Sequence, residues 1–268
     1  ATPFGIQVEI DPVVHGKLVM QRVRDERDRF SGFVVDTVEG FPEDDKIRGK
    51  ATFLSNTQLQ IDEHTIVNAK RIVIATGSRP SYPDFFNGVG DRLIINDDLF
   101  NWQDLPESVA VFGPGVIGLE LGQALHRLGV KVKVFGRSGS IGPLTDPDVM
   151  SYAKEKLAEE FYLDTKAQVL SMNKVDNKAE IRFINLSGEE VTEKFDYLLA
   201  ATGRRPNIDN LAIEKTDLLL DERGVPLADP KTMQCGTSNI FIAGDASNHL
   251  PLLHEAADQG KIAGDNAG

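Results

Sequence analysis

The alternation of apolar and polar residues predicts one long helix followed by short strands in the first third of the chain. Residues 11–40 are rich in charge, and their apolar side chains recur at steps of mostly three to five: Val14, Leu18, Val19, Val23, Phe30, Val34 and Val38. This spacing predicts an amphipathic helix, which Gly40-Phe41-Pro42 ends. Short β segments begin near residue 49, and the apolar run at 69–75 predicts a strand that stops at glycine and proline.

The middle of the chain carries a strand, a glycine turn, a helix and a second strand in succession. Gly113, Gly115 and Gly118 form a G-x-G-x-x-G between a predicted strand at 109–112 and a predicted helix at 116–128. The first glycine permits a tight turn, the second lets the backbone approach a pyrophosphate, and the third lets the helix pack close to the strand. The free N–H groups at the start of the helix suit phosphate. In this context the motif predicts a dinucleotide site, although alone it would also fit a chance glycine turn.

The end of the second strand bears on which dinucleotide is bound. An acidic residue there would bind the ribose 2′-hydroxyl of NAD, but after the strand at 130–135 the chain has Gly136 and then Arg137. A guanidinium at this point can pair with a 2′-phosphate. The sequence therefore favours NADP over NAD. The alternative is that Arg137 is a solvated surface residue.

Two distant segments repeat one six-residue pattern. Residues 75–80 and 201–206 both read A-T-G-x-R-P, and each follows an apolar strand. Two similar nucleotide-binding domains would explain the repeat. The closing strand at 240–243 ends in Gly244-Asp245, where the carboxylate fits either a ligand hydroxyl or an ordinary turn. A final helix is predicted from about Leu252.

The region between the two repeats contains a helix and a β-rich stretch. Asp146 and Pro147 predict a capped helix start, followed by an apolar stripe at Val149, Ala153, Leu157 and Phe161. Residues 165–195 predict β structure with a turn at Ser187-Gly188.

Charge and cysteine content narrow the possible partners. The chain has 268 residues and a net charge of -12, so nucleic acid and anionic membrane surfaces are poor partners. No apolar run approaches the roughly 20 residues needed to span a bilayer. Cys235 is the only cysteine, so no intrachain disulfide is possible, and we expect it to be structural and the protein to be cytoplasmic. The five histidines show no metal spacing, so no metal site is predicted.

Taken together, these motifs resemble those of the pyridine nucleotide–disulfide oxidoreductases. The glycines from Gly113 to Gly122, the two A-T-G-x-R-P segments and the closing strand with Gly244-Asp245 carry the likeness, which extends over nearly the whole chain. Dihydrolipoamide dehydrogenases are the most similar members, with glutathione and mercuric reductases near them. The resemblance implies an α/β fold in which a Rossmann-like NAD(P) domain is inserted in an incomplete FAD-binding α/β domain. The implied domains are residues 1–94 and 206–268 for FAD, and 95–205 for NAD(P).

The resemblance also implies the residues that bind each cofactor. The implied FAD contacts are Ala51 (through its backbone), Thr76, Gly77 and Asp245, with residues 253–257 near the flavin ring. The implied NAD(P) contacts are Gly113, Gly115, Ile117, Gly118, Glu120, Arg137 and Gly203, with Glu120 near the nicotinamide carboxamide. Hydride would pass between NAD(P)H, FAD and a small disulfide or dithiol substrate.

Several family features are not found in this sequence. It contains neither the FAD G-x-G-x-x-G, nor the C-x-x-x-x-C redox disulfide, nor the interface domain with its catalytic His–Glu pair. We therefore expect an internal fragment, inactive in disulfide exchange by itself, of an enzyme that is a homodimer at full length. No catalytic residue is predicted within these 268 residues. The alternatives are an FAD-dependent soluble transhydrogenase or oxidase, and a non-catalytic NAD(P)-binding module. A plain NAD-dependent dehydrogenase would not need the second A-T-G-x-R-P segment.

Overall fold

The computed structural model describes residues 13–268, which fall into two compact units. The first unit contains residues 13–36 and Pro80–Gly203, and the second contains Thr37–Arg79 and Arg204–Gly268. The helices and strands are, in chain order, α1 (Gly16–Glu39), β1 (Ala51–Ser55), β2 (Gln58–Ile61), β3 (Thr65–Asn68), β4 (Ile72–Ile74), β5 (Ser78–Pro80), β6 (Leu93–Ile94), α2 (Asn96–Leu99), β7 (Ser108–Phe112), α3 (Val116–Arg127), β8 (Lys131–Phe135), α4 (Pro147–Ala158), β9 (Tyr162–Asp164), β10 (Gln168–Val175), β11 (Lys178–Ile184), β12 (Glu190–Phe195), β13 (Tyr197–Ala200), β14 (Arg204–Pro206), β15 (Ile240–Ile242) and α5 (Leu253–Ala267). Short 3-10 turns occupy parts of the connections.

The first unit is built on a five-stranded parallel sheet in the order β6-β13-β7-β8-β9. Every residue of β7 is buried, as expected for a central strand covered on both faces. Val109 and Val111 face a cluster that includes residues of α3 and α4. Ala110 and Phe112 face the antiparallel sheet β10-β11-β12, where Phe183 packs in the same cluster. The result is a three-layer α/β unit, which confirms the predicted fold class.

The second unit combines small sheets with one helix. β1, β2 and β3 form an antiparallel sheet, β4 pairs with β15 in parallel, and β14 pairs with β5. Phe53 of β1, Ile74 of β4 and Ile240 of β15 belong to one buried cluster. In another cluster, Ala263 of α5 packs with Phe241 of β15. The unit therefore has β4 and β15 as its central parallel pair.

The long helix α1 confirms the prediction for residues 11–40 in the part that the structure describes, but most of its apolar stripe is not buried. Leu18, Phe30, Val34 and Val38 are exposed, and Met20 is the buried residue. Arginine side chains supply contacts instead. Arg24 donates to the carbonyl oxygen of Trp102, and Arg27 donates to that of Phe100 at 2.9 Å.

The repeated A-T-G-x-R-P segments contain two of the three places where the chain passes from one unit to the other, and the third is Asp36 to Thr37 within α1. The two places within the repeats are Arg79 to Pro80 and Gly203 to Arg204. Residues 80–94, which were predicted to be part of the FAD domain, belong to the first unit, because β6 pairs with β13. The assignment of the units to FAD and NAD(P) stays a prediction.

The helix predicted from Asp146 and Pro147 is confirmed as α4. The Asp146 carboxylate accepts the N–H groups of Asp148 and Val149, each at 3.0 Å, and Pro147 is the first residue of the helix. The predicted stripe is wrong at Val149, which is 51% exposed. Met150, one position later in the helix, packs against the core instead, because it lies on the side of α4 that faces the sheet.

Among residues 13–268, no helix is long and apolar enough to cross a membrane.

Candidate functional site

The carboxyl ends of three neighbouring parallel strands bring the predicted dinucleotide-binding residues of the first unit to one edge. β7 lies between β13 and β8. The chain continues from β7 to β8 on one side, and it reaches β13 on the other side only after β12. Open α/β sheets bind ligands where the strand order reverses in this way. Gly113 follows β7, Gly203 follows β13 and Arg137 follows β8. We call Gly113, Gly115, Gly118 and Gly203 the glycine edge.

The three glycines of the motif differ in what surrounds them. A Cβ on Gly113 would overlap the carbonyl oxygen of Ala201, and Gly113 has a φ of 108° that side chains disfavour. A Cβ on Gly118 would overlap the carbonyl oxygen of Gly113 itself. No heavy atom lies within 4 Å of a Cβ placed on Gly115. Two glycines thus permit close packing inside the protein, and the third leaves an open face for a ligand.

The start of α3 offers unpaired backbone N–H groups beside Gly115. Gly115 is the N-cap, and no side chain caps the helix. The first helical bond runs from the N–H of Leu119 to the carbonyl oxygen of Gly115, at 3.0 Å. The N–H groups before Leu119 therefore point out of the helix, where a pyrophosphate would accept them. Ile117 is half-buried in this first turn, and Glu120 lies exposed one turn along.

Gly203 lies exposed at the end of the neighbouring strand connection. Its carbonyl oxygen accepts the N–H of Ser81 at 2.9 Å, and the Thr202 hydroxyl donates to the carbonyl oxygen of Ser81 at 2.8 Å. No heavy atom lies within 4 Å of a Cβ placed on Gly203. Its open side fits a nucleotide that extends across the ends of β7 and β13.

The end of β8 has a buried glycine and an exposed arginine. Gly136 donates its N–H to the carbonyl oxygen of Asp164 at 2.6 Å. Arg137 is exposed and forms no ion pair within residues 13–268. The structure therefore leaves the guanidinium available to an anion at the edge where the predicted ribose would lie.

In the second unit, the predicted FAD residues Thr76, Gly77 and Asp245 follow the paired strands β4 and β15. Parallel strands end at the same edge, so these residues come close together. Ser78 confirms the proximity, because its hydroxyl donates to Oδ2 of Asp245 at 2.6 Å. We call Thr76, Gly77, Ser78 and Asp245 the aspartate edge. Its carboxylate is held by a side chain rather than used to cap a turn.

Arg204, which sequence reasoning missed, contacts the aspartate edge. Its Nε donates to the Ser78 hydroxyl at 2.8 Å, and its Nη2 donates to the Ser78 carbonyl oxygen at 2.9 Å. Its guanidinium lies 3.9 Å from the Asp245 carboxylate. Ser78 and Arg204 occupy the variable position of the two A-T-G-x-R-P segments. This shared position could have drawn attention to the two residues, but it does not indicate that they form a hydrogen bond.

Gln259 of α5 was also missed, and it links the final helix to the loop that carries Asp245. It is buried, and its Oε1 accepts the N–H of Gly244 at 3.0 Å and the hydroxyl of Ser247 at 3.1 Å. The start of α5, at residues 253–257, follows this loop along the chain. Ala51 instead begins β1, opposite Ile61, and so lies in the antiparallel sheet of the unit.

The environment of the single cysteine disfavours redox reactions of its thiol. Cys235 is 2% exposed, and burial raises the pKa of its thiol to about 11. The reactive thiolate is therefore scarce at neutral pH. This burial confirms that Cys235 is a structural side chain.

Comparisons with known proteins agree with this geometry. Residues 24–260 match the family model described as pyridine nucleotide-disulphide oxidoreductase. The dihydrolipoyl dehydrogenase of Chlamydia trachomatis serovar D is 29% identical over 99% of this chain and 57% of its own length. The dihydrolipoyl dehydrogenase of Staphylococcus aureus is 34% identical over 92% of this chain and 53% of its own length. The chain thus spans little more than half the length of these relatives.

A solved structure shows the same fold. It is the copper(II) complex of a cysteine-to-serine mutant of the HOCl-induced flavoprotein disulfide reductase RclA from Escherichia coli. The TM-score is 0.79 at 22% identity, over 92% of this chain and 56% of that one.

Proposed function

Because this chain belongs to the pyridine nucleotide-disulphide oxidoreductase family, we propose that it is the nucleotide-binding part of a flavoprotein oxidoreductase. The flavoprotein would pass hydride between NADP(H), FAD and a disulfide or dithiol. The observation that carries the proposal is the glycine edge, with its open Gly115 beside the uncapped start of α3.

The groups at and beside the glycine edge have separate roles in this proposal. The N–H groups at the start of α3 hold the pyrophosphate, which can approach because Gly115 has no side chain. Glu120, one turn further, lies near the nicotinamide carboxamide. Arg137 pairs with the 2′-phosphate that distinguishes NADP from NAD. These contacts orient the nicotinamide, and orientation is the main contribution that a protein makes to hydride transfer.

The aspartate edge suits the flavin cofactor. A carboxylate accepts hydrogen bonds, and Ser78 already fixes Oδ2 of Asp245, so a ribityl hydroxyl of FAD can donate to the same carboxylate. Thr76 and Gly77 would lie beside it, and Ala51 would contact the adenine through its backbone. FAD supplies the electron-accepting ring when it is bound.

The thiol step is not assigned to this chain. Disulfide exchange proceeds through a pair of thiols, and the sequence contains one cysteine, which is buried. Similarity to the two dihydrolipoyl dehydrogenases supports dihydrolipoamide or a related small dithiol as the substrate of the whole protein. We propose a homodimer for that protein and a reducing, cytoplasmic location.

A nucleotide titration of the chain tests the proposal. NADPH and NADH are added to the wild type and to Gly115→Ala and Gly122→Ala, and binding is followed by nicotinamide fluorescence. We expect NADPH to bind more tightly than NADH. Gly115→Ala should weaken both by roughly tenfold, since its methyl group stands where the pyrophosphate must approach.

Gly122→Ala is the matched control, because its Cβ would lie 3.5 Å from the nearest atom, inside the protein. It should leave both affinities unchanged. Failure of the folded wild type to bind either nucleotide would contradict the proposed function. Equal affinity for NADH and NADPH would contradict only the preference for NADP.

A further inference from the structure

The position where an acidic residue would recognise NAD is closed to any side chain. Gly136 is buried, and a Cβ on it would lie 2.8 Å from the carbonyl oxygen of Thr165 and 2.8 Å from Cγ of Pro114. Hydrogen bonds also fix its backbone. Its N–H donates to the backbone carbonyl oxygen of Asp164, and its carbonyl oxygen accepts the N–H of Ala167 at 2.8 Å. Packing against residues 164–167 therefore excludes a carboxylate at this position.

The same segment brings a lysine to the loop that follows β8. The N–H of Gly139 donates to the carbonyl oxygen of Thr165 at 2.8 Å. The Lys166 side chain lies across Gly139, with its Cε 2.7 Å from where a Cβ of that glycine would be. Ser138 and Ser140 flank the glycine, and their hydroxyl oxygens are 3.0 Å apart. Lys166 thus carries its ammonium, one bond beyond Cε, to a loop that begins with Arg137.

Neither of these two cations has a carboxylate partner within residues 13–268. Several other cations of the first unit do have such partners, as Arg127 has Glu160 and Lys156 has Glu159. The nearest acid along the chain, Asp164, turns Oδ1 to the backbone N–H of Lys166 at 3.0 Å and forms no ion pair with its ammonium. In a chain of net charge -12, two exposed and unpaired cations beside one loop favour a multiply charged anion.

We propose that Lys166 is a specificity-determining residue for NADP, which supplies the second cation of a 2′-phosphate site together with Arg137. The hydroxyls of Ser138 and Ser140 are the neutral donors of this site. The inference rests on the proposed function, and it adds a residue that follows β9, the strand beside β8, to the recognition of the cofactor. A 2′-phosphate is a dianion near neutral pH, so two cations match its charge.

The test measures dissociation constants for NADPH, NADH and 2′,5′-ADP with Lys166→Met, which keeps the apolar stem across Gly139. We expect NADPH and 2′,5′-ADP to bind roughly tenfold more weakly, the usual effect of losing one charge-assisted hydrogen bond. NADH affinity should stay within about twofold, because NADH has no 2′-phosphate. Lys166→Arg should retain the preference for NADPH.

Lys154→Met is the matched control, since Lys154 is an exposed lysine of the same unit that forms no ion pair within residues 13–268. It should change none of the three constants. Raising the salt concentration should weaken NADPH binding less in Lys166→Met than in the wild type, because one ionic contact is gone.

The outcomes separate the two proposals. If the wild type prefers NADPH and Lys166→Met lowers NADPH and NADH affinity equally, or lowers neither, the role of Lys166 is refuted and the proposed function stands. If the wild type binds both nucleotides without preference, the 2′-phosphate site is refuted. If it binds neither, the proposed function fails and this inference fails with it.

Discussion

The glycine edge of the first unit is formed by backbone, whereas the aspartate edge of the second unit is formed by side chains. At the glycine edge, the decisive property of Gly113 and Gly118 is that they have no Cβ, because neighbouring carbonyl oxygens occupy that space. At the aspartate edge, the Ser78 hydroxyl donates a hydrogen bond to Asp245, and Arg204 in turn donates a hydrogen bond to Ser78. Both edges lie at the carboxyl ends of parallel strands.

The difference reflects which ligand group each edge would receive. A pyrophosphate is an anion and is well held by free N–H groups at a helix start, so the glycine edge needs close backbone approach. A hydroxyl is a neutral donor and needs an acceptor, which a fixed carboxylate provides. If the proposed function is right, the same A-T-G-x-R-P pattern accompanies two different recognition chemistries. Substitutions at the two edges should fail for different reasons.

The largest effect is expected at Gly118. Gly118→Ala places a methyl group on the carbonyl oxygen of Gly113, and the backbone must move, so we expect a loss of about 3 kcal/mol in the free energy of unfolding. Gly122→Ala, one turn along α3, makes only ordinary contacts and should gain about 0.5–1 kcal/mol. Urea unfolding followed by the fluorescence of Trp102, the single tryptophan, measures both. Equal stabilities of the two variants would contradict a packing role for Gly118.

An intermediate effect is expected at the aspartate edge. Arg204→Met removes two hydrogen bonds to Ser78 and should destabilise the strand pair β4–β15 by about 2 kcal/mol. The adjacent Arg205 is the control, because its side chain is 60% exposed and its ion pair with Asp209 is 3.5 Å long. Arg205→Met should cost less than about 0.5 kcal/mol. Hydrogen exchange of the amides in β4 and β15 measures this local stability, and equal protection in both variants would show that Arg204 does not hold the edge.

The residues of the glycine edge could be predicted from the sequence more completely than those of the aspartate edge. Gly113, Gly115 and Gly118 are recognisable because each glycine has a fixed spacing and a steric reason. The partners of Asp245 lie far away in the chain, and Ser78 and Arg204 had no local pattern that would point to a hydrogen bond. The helices α3 and α4 followed from periodicity and capping. The exposed stripe of α1 did not, because periodicity shows that a face is apolar and does not show what covers it.

At the opposite edge of the first unit's sheet, a charged side chain accepts the free backbone N–H groups. This edge therefore combines the backbone groups of the glycine edge with the carboxylate of the aspartate edge. Asp196, just before β13, accepts the N–H groups of Glu107 at 2.8 Å and Ser108 at 3.0 Å. Burial raises the pKa of this carboxyl, but hydrogen bonds from Lys178 and from the Ser108 N–H outweigh it, and the pKa is lowered from its ordinary 3.8. The unfolded state therefore binds the proton more readily. The stability that Asp196 contributes is present at pH values above its pKa in the unfolded protein. It is lost as the pH falls through its lower pKa in the folded protein.

Asp196→Asn keeps one acceptor oxygen and removes the charge. We therefore expect the free energy of unfolding to fall by about 1 kcal/mol at pH 7 and to decline less steeply in acid than that of the wild type. Trp102 reports this change directly, because it stacks on Tyr197 with ring centroids 5.2 Å apart. Asp176→Asn is the control, since its exposed carboxylate pairs with Lys194 and should contribute less. Urea unfolding between pH 7 and pH 3 compares the three proteins. If the stability of Asp196→Asn declines as steeply in acid as that of the wild type, the charge of Asp196 does not stabilise this edge. The contribution of residue 196 would then come from its hydrogen bonds to the N–H groups alone.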